Sequence, residues 1–508
     1  MSNHHSRRDF LRHAAGWGSL ASVPMAFNLS QVREASAQST STDYKALVCI
    51  FLAGGNDAHN TVLPTDSHSW DVYAATRDPA LRTGSSTGNA AQSLALPRSS
   101  VLDIPNANKA GLNTGRTFGL HPQLKQIKSL YSSGKAAILA NVGPLIAPMD
   151  KGDYVLNLVE KPRKLMSHND QTSTWQTFQP EGSARGWGGL LMDQLYSQNT
   201  NKLLSAIAVG QPSVWLAGNA VLPYQLGSTA VYNMGGDSGA ILGSSALYQA
   251  VRKVSGTADA NDPFASDYAQ VVSRALSSQG TLKATLPSAL MAPWGTPSAG
   301  TQYNDPLLKY TTPLTGASIF NPLAAQLQMV ARLIASRNNS AIGTRRQVFT
   351  VTLSGFDTHS NQMPTHADLL ARLDHAVGYF YNLLGSMPDG LNMRSQVTTF
   401  TASEFGRALL SNGDGTDHGW GGHHFVIGDA VKGADVYGTY PLFLGTDGLG
   451  EFFSQDMIRG GSLVPTTALD QYVYTLGRWM GVADANLKAI CPNLPNFDPA
   501  TYNLGFMA

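Results

Sequence analysis

Four stretches of the chain are rich in apolar and β-branched residues with no charge and end in glycine or in side chains able to bind a cation. Ala46 to Leu52 runs into Gly54-Gly55-Asn56-Asp57, and Ala136 to Val142 has Ser167-His168 some way behind it. Val348 to Leu353 enters Ser354-Gly355-Phe356-Asp357-Thr358-His359, and Gln396 to Ala402 enters Ser403-Glu404-Phe405-Gly406-Arg407. Short runs that are apolar on both faces read as buried parallel strands, not as alternating edge strands. Helical spacing lies between them. Asn321 reads as an N-cap with Pro322 at the first helical position, and Leu323, Leu327, Val330 and Ile334 recur at helical intervals. After the third run, Leu369, Leu370, Leu373, Val377, Phe380 and Leu384 form one apolar face fit to lie on a sheet. The alternation predicts an α/β fold, a mostly parallel sheet flanked by helices on both faces. Residues 201–317, rich in Gly, Ser and Ala, break the alternation and are expected to be an insertion near the site.

The first residues follow a different rule. Ser6-Arg7-Arg8-Asp9-Phe10-Leu11 precedes a weakly apolar run from Ala14 to Phe27 and then Ala35-Ser36-Ala37. A paired arginine, an apolar run too short to span a bilayer and an Ala-x-Ala site together predict a removable twin-arginine export signal over residues 1–37. Residues 38–508 would then be the mature domain, periplasmic or secreted, with the twin-arginine translocase as its partner during export. No later run offers the ~18 uninterrupted apolar residues of a membrane helix, so no stable membrane anchor is expected.

Composition narrows the classes further. With 508 residues, 43% hydrophobic and 14% charged, the chain can bury a large core. A net charge of +1 without basic runs argues against nucleic acid as a partner. The two cysteines, Cys49 and Cys491, exclude a disulfide framework; one bridge is open, and two buried thiols are the favoured alternative.

In open α/β sheets ligands collect beyond the carboxyl ends of the strands, where Asp57, Asp357, His359 and Glu404 stand. Asp57 follows a double glycine and reads as a metal ligand or as the Asp of a local turn. Asp357 and His359, two residues apart, can reach one ion. Asp417-His418-Gly419, within a glycine-rich run from Gly413 to His424, adds a carboxylate and an imidazole. His418 is favoured as a ligand over His423 or His424. Glu404 ends its strand as a candidate ligand. Arg407, three residues on, would face an anionic substrate if a helix began after Ser403, or else make a salt bridge. Ser167 precedes His168 at a loop-to-helix turn and reads as a nucleophile or as an N-cap.

These segments resemble the bacterial domain of unknown function 1501 family over essentially the whole mature chain, carried by the Phe51 to Asp57, Ser167-His168, Thr352 to His359, Ser403 to Arg407 and Gly415 to Gly422 motifs. That family is similar in fold to the alkaline phosphatase and sulfatase superfamily. The resemblance implies one or two divalent ions, Zn, Mn or Fe. Asp57, Glu404 and the Ser167 hydroxyl would hold one, and Asp357, His359 and His418 the other. His168, Asp417 and His423 would be supporting or alternative ligands. Where such phosphatases show an Asp-His pair after the late strand, this chain has Glu404-Phe405, which offers no imidazole there. Neither cysteine lies in a formylglycine signature. The expected function is metal-dependent hydrolysis of small anionic phosphate or sulfate esters, with Ser167 and Arg407 catalytic. The alternative is a non-catalytic binding or assembly protein that keeps the fold.

Overall fold

A computed structural model describes residues 44–78, 93–109, 111–231, 239–257, 262–385, 390–447 and 449–508. The expected export signal, residues 1–37, lies outside the described residues. The four apolar runs become strands β1 (Lys45–Ala53), β2 (Ala136–Gly143), β5 (Arg346–Ser354) and β6 (Val397–Ala402), with β3 (Ala206–Val209) and β4 (Tyr224–Leu226) between β2 and β5 in the chain. After β6 come a two-stranded hairpin, β7 (Arg407–Ser411) and β8 (Thr416–His418), and then β9 (Gly422–Ile427), β10 (Val436–Tyr437) and β11 (Thr467–Ala468). Nine of these form one sheet in the order β10-β2-β9-β6-β1-β5-β3-β4, with β11 added on β2.

The sheet is mostly parallel. β1 runs parallel to β5, from Lys45 opposite Arg346 to Ala53 opposite Ser354, and parallel to β6, from Ala46 opposite Val397 to Phe51 opposite Ala402. Only β9 is reversed, antiparallel to β6 on one side and to β2 on the other. Because the registers of β1, β5 and β6 are matched, their carboxyl ends finish together, and the loops that follow them share one edge of the sheet.

Every residue from Ala46 to Leu52 is buried, which explains the absence of alternation in the sequence. Helices cover both faces. Val48, Ile50, Phe349 and Val351 pack with α5 (Pro322–Ala335) and α6 (Gln362–Leu383), whereas Leu47, Cys49, Phe51 and Val348 pack with α7 (Leu469–Met480). Each fully buried aliphatic side chain of this kind contributes roughly 1.5–3 kcal/mol relative to exposure. The start of α5 follows the sequence signal, since the Asn321 side chain accepts from Leu323 N and Pro322 opens the helix. Cys49 and Cys491 are both unpaired and buried.

Two differences from the sequence expectation bear on the site. β3 and β4 fall inside residues 201–317 yet are strands of the main sheet, so that stretch is not wholly an insertion. They are too short, at four and three residues, to stand out from a Gly- and Ser-rich background. Helices α3 (Ser245–Ser255) and α4 (Pro263–Thr285) follow them outside the sheet. The second difference is β9, which takes the end of the Gly413 to His424 run into the core of the sheet. Among the described residues no helix is long and apolar enough to cross a membrane.

Candidate metal centre

The site is assembled from three loops at the carboxyl edge. Beyond β5 the chain turns at Gly355 and delivers Asp357 and His359. The loop after β1 passes so close that a Cβ on Gly54 would lie 2.3 Å from Asp357 N, and Gly54 has φ of +118°, so a side chain there is excluded twice. Beyond β6 come Glu404 and the hairpin that ends at His418. Gly415 in its turn permits a backbone approach that a Cβ would close to 2.2 Å from the His359 carbonyl carbon. The third loop leads into α2 (His168–Thr177), whose N-cap is Ser167.

His168, Asp357 and His418 offer ligand atoms that all lie within 4.8 Å of one another. Each imidazole is fixed from behind. His168 Nδ1 donates to Glu404 Oε1 at 2.9 Å, and His418 Nδ1 donates to the Met166 carbonyl at 2.8 Å, so both Nε2 atoms face inward. His168 Nε2 stands 3.3 Å from Asp357 Oδ2, yet it is buried and has no hydrogen-bond partner among the described residues. His418 Nε2 lies 3.2 Å from Asp357 Oδ1 and 2.9 Å from His359 Nε2, which is itself 3.1 Å from Asp357 Oδ1. The two imidazoles meet edge to face with centroids 4.4 Å apart, and Phe405 packs against both, its centroid 4.8 Å from that of His168 and 4.7 Å from that of His418.

The electrostatics differ across this small space. The hydrogen bond to Glu404 raises the pKa of His168 against the opposing effect of burial, with the charges of Glu404 and Asp357 adding to the rise. Burial lowers that of His418, with His168 and Arg407 adding positive charge nearby, against the Met166 hydrogen bond. Burial raises the Asp357 carboxyl, but the Arg407 guanidinium, by hydrogen bond and charge, together with His168 and His359, holds it below the usual range. Two inward nitrogens and an ionised carboxylate, all held by other groups, are the donor set of a divalent cation that accepts imidazole. The residues present fit such an ion.

The other expected residues are placed differently. Both Asp57 oxygens are taken by protein donors: Arg77 Nη1 at 2.7 Å, Arg77 Nη2 at 2.8 Å, Gln362 Nε2 at 2.6 Å and His59 N at 3.2 Å. It caps the helix Ala58–Thr61 and pairs with Arg77 in complete burial, so the turn reading describes it better than the ligand reading. Glu404 is the partner of His168 and also accepts from Gly54 N at 2.8 Å, so one of its oxygens is spent on fixing an imidazole of the cluster. Arg407 begins a strand, where the substrate-facing reading required a helix. Its buried guanidinium donates to Asp357 Oδ1 at 2.7 Å, to the Gly54 carbonyl at 3.2 Å and to the Thr416 carbonyl, so it grips the Asp357 loop and turns away from solvent.

Ser167 is half-buried, and its hydroxyl donates to Asp170 Oδ2 at 2.7 Å, with no backbone cap bond. Asp417 is exposed, accepts from Asn412 and stands 3.7 Å from His359 Nδ1. His423 is buried in β9, accepts from Asn141 N at 2.9 Å and stacks on Tyr440. His424 is buried beside Trp175. Neither joins the cluster, because the reversed strand carries both into the core.

Sequence reading did not single out Arg77, Gln362 or the Met166 carbonyl. A helix-terminal arginine distant in sequence from Asp57 carries no signal that it is buried, and arginines are almost never fully buried unless paired. In the sequence His168 is an alternative ligand that would make up for the imidazole absent at Phe405; its carboxylate partner, Glu404, lies 236 residues further on.

Among solved structures, one titled "Crystal structure of Ps i-CgsB in complex with k-i-k-neocarrahexaose" is similar at 8% identity over 90% of this chain and 78% of that one, with a TM-score of 0.31. That likeness is too slight to carry an argument. No curated protein matches the chain. Residues 296–491, which contain Asp357, His359, Glu404, Arg407 and His418, match the model of the family described as protein of unknown function (DUF1501), and over that segment the chain is similar to this family.

Proposed function

We propose that this chain is a periplasmic, metal-dependent hydrolase of phosphate or sulfate esters, with a fold of alkaline phosphatase and sulfatase type. One observation carries the reading: His168 Nε2, His418 Nε2 and Asp357 converge, with the outer atom of each imidazole tied off by Glu404 or the Met166 carbonyl. A divalent ion held there would act as a Lewis acid on an ester oxygen and offset its negative charge. The chain's own groups do the rest. Glu404 and Arg407 hold His168 and Asp357 in place. The open side of the cluster, where Asp357 and His359 are 44% and 46% exposed, admits a substrate. Ser167, next to His168 at the start of α2, is the proposed nucleophile, and its proton already rests in a hydrogen bond to Asp170. The fold assignment is supported by helices on both faces of a mostly parallel sheet and by a cluster at the carboxyl ends of its strands.

The test uses mature protein stripped with chelator and reloaded singly with Zn, Mn or Fe, assayed on phosphate monoesters, phosphate diesters and sulfate esters. Turnover of one class is expected, with loss of both metal and turnover in His168→Ala. Ser167→Ala is expected to keep its metal and lose turnover by several orders of magnitude. Wild-type protein that binds metal and turns over none of these esters would sink the hydrolase reading in favour of a binding or assembly role.

A further inference from the structure

We infer that this chain is built to hold one divalent cation where the resemblance implies as many as two, because Asp57, the buried carboxylate a second ion would need, is already committed to protein donors. The inference rests on the metal centre proposed above and fixes its stoichiometry.

The second ion would need Asp57, Glu404 and the Ser167 hydroxyl. A carboxylate has about four lone-pair sites. At Asp57 all four are used: His59 N and Arg77 Nη2 on Oδ1, Arg77 Nη1 and Gln362 Nε2 on Oδ2. The pair with Arg77 is completely buried. An ion could enter only by displacing one of these donors, and it would then stand beside the buried guanidinium or leave it without its counter-charge, a costly exchange in a medium of low dielectric. Arg77 Nη2 also donates to the Ala408 carbonyl at 3.3 Å, so a second backbone strand holds the guanidinium in place. Arg77 is thus a permanent cation beside the carboxylate that a metal would otherwise neutralise.

Glu404 and Ser167 are partly committed as well. Glu404 Oε1 is filled by Gly54 N and His168 Nδ1, which leaves Oε2, 3.5 Å from Ser403 Oγ, as the one oxygen of this residue that an ion could take without stripping His168 of its support. The Ser167 hydroxyl is turned to Asp170, whose other oxygen meets Lys164 Nζ at 3.2 Å. Gln362 joins the two guanidinium systems: its Nε2 donates to Asp57, and its Oε1 accepts from Thr416 Oγ1 at 2.7 Å, on the residue whose carbonyl receives Arg407.

Isothermal titration of chelator-stripped mature protein with Zn²⁺ and, separately, with Mn²⁺ counts the ions directly. One equivalent is expected. Two equivalents overturn the inference and leave the metal centre standing, whereas no binding by either ion overturns both. Arg77→Ala alone strips a buried carboxylate of its cation and can fail to fold. The charge-balanced double variant Asp57→Asn, Arg77→Met is therefore titrated beside wild type, with circular dichroism as the folding control. The folded double variant is expected to bind one equivalent within a few-fold of the wild-type affinity. A fall to none in folded protein would make Asp57 a ligand of the ion and overturn the inference.

Discussion

Glu404 shows how a residue can be found by sequence and still be given the wrong task. Its position at the end of a buried strand marks it as a group near the site, but in the proposed centre the ligand atom would belong to His168, which the carboxylate holds at 2.9 Å. Replacement of Glu404 by Gln keeps the shape and removes the charge, so metal affinity is expected to fall about 10–100-fold, as for other partners of metal-bound imidazoles. Titration of stripped Glu404→Gln with Zn²⁺ measures this, and an affinity equal to wild type would remove Glu404 from the supporting role. Asp57 and Arg407 were legible as site residues because glycines and strand ends surround them. Their partners were not legible, because the choice between a metal and an arginine at Asp57 is made by Arg77, a helix residue whose burial no local pattern announces.

Elements were legible in proportion to their length and apolarity. β1, β2, β5 and β6 are buried on both faces and were read within a residue or two, and α5 followed from its Asn321-Pro322 start. β9 was hidden because glycine and two histidines open it, and histidines in a core are polar in sequence yet neutral in place, as with His424, whose pKa burial lowers to about 3. One contact between elements makes a testable statement about pH. Asp374 on α6 accepts from Gln126 N at 2.9 Å and Ile127 N at 2.8 Å and so caps the helix Lys125–Ser132. Burial raises its pKa from 3.8 to about 6, against those backbone bonds and the charge of Lys125. Between those values the folded chain keeps a proton that the unfolded chain has released, so this group's contribution is largest at low pH. It is lost as pH rises through about 6, by roughly 2–3 kcal/mol in all. Asp374→Asn keeps an oxygen acceptor and should flatten that slope. Urea unfolding at steps from pH 4.5 to 7 checks it, and an unchanged slope would place the titration elsewhere.

At the scale of the whole molecule, the parallel arrangement brings the ends of strands distant in sequence to one edge, where His168, Asp357 and His418 meet. The stretch 201–317 was the least legible, since weak short strands and helices share the same Gly, Ser and Ala background. The proposed periplasmic address makes its own prediction: Arg7→Lys with Arg8→Lys should hold full-length protein in the cytoplasm, because the export receptor reads the arginine pair and not charge alone. Cell fractionation decides, and an unchanged periplasmic yield would leave ordinary secretion in its place.

The reversed strand β9 has a consequence for traffic at the centre. His418 lies on a short hairpin that leaves the sheet at β6 and returns to it at once through β9, between β6 and β2, so both ends of that hairpin are moored in the core. A doubly moored ligand does not swing aside. His168 is equally confined by the Glu404 carboxylate behind it. An ion would therefore come and go past the solvent-facing side of Asp357 and His359, and the pace of its exchange would be set at that doorway while the far wall stays still.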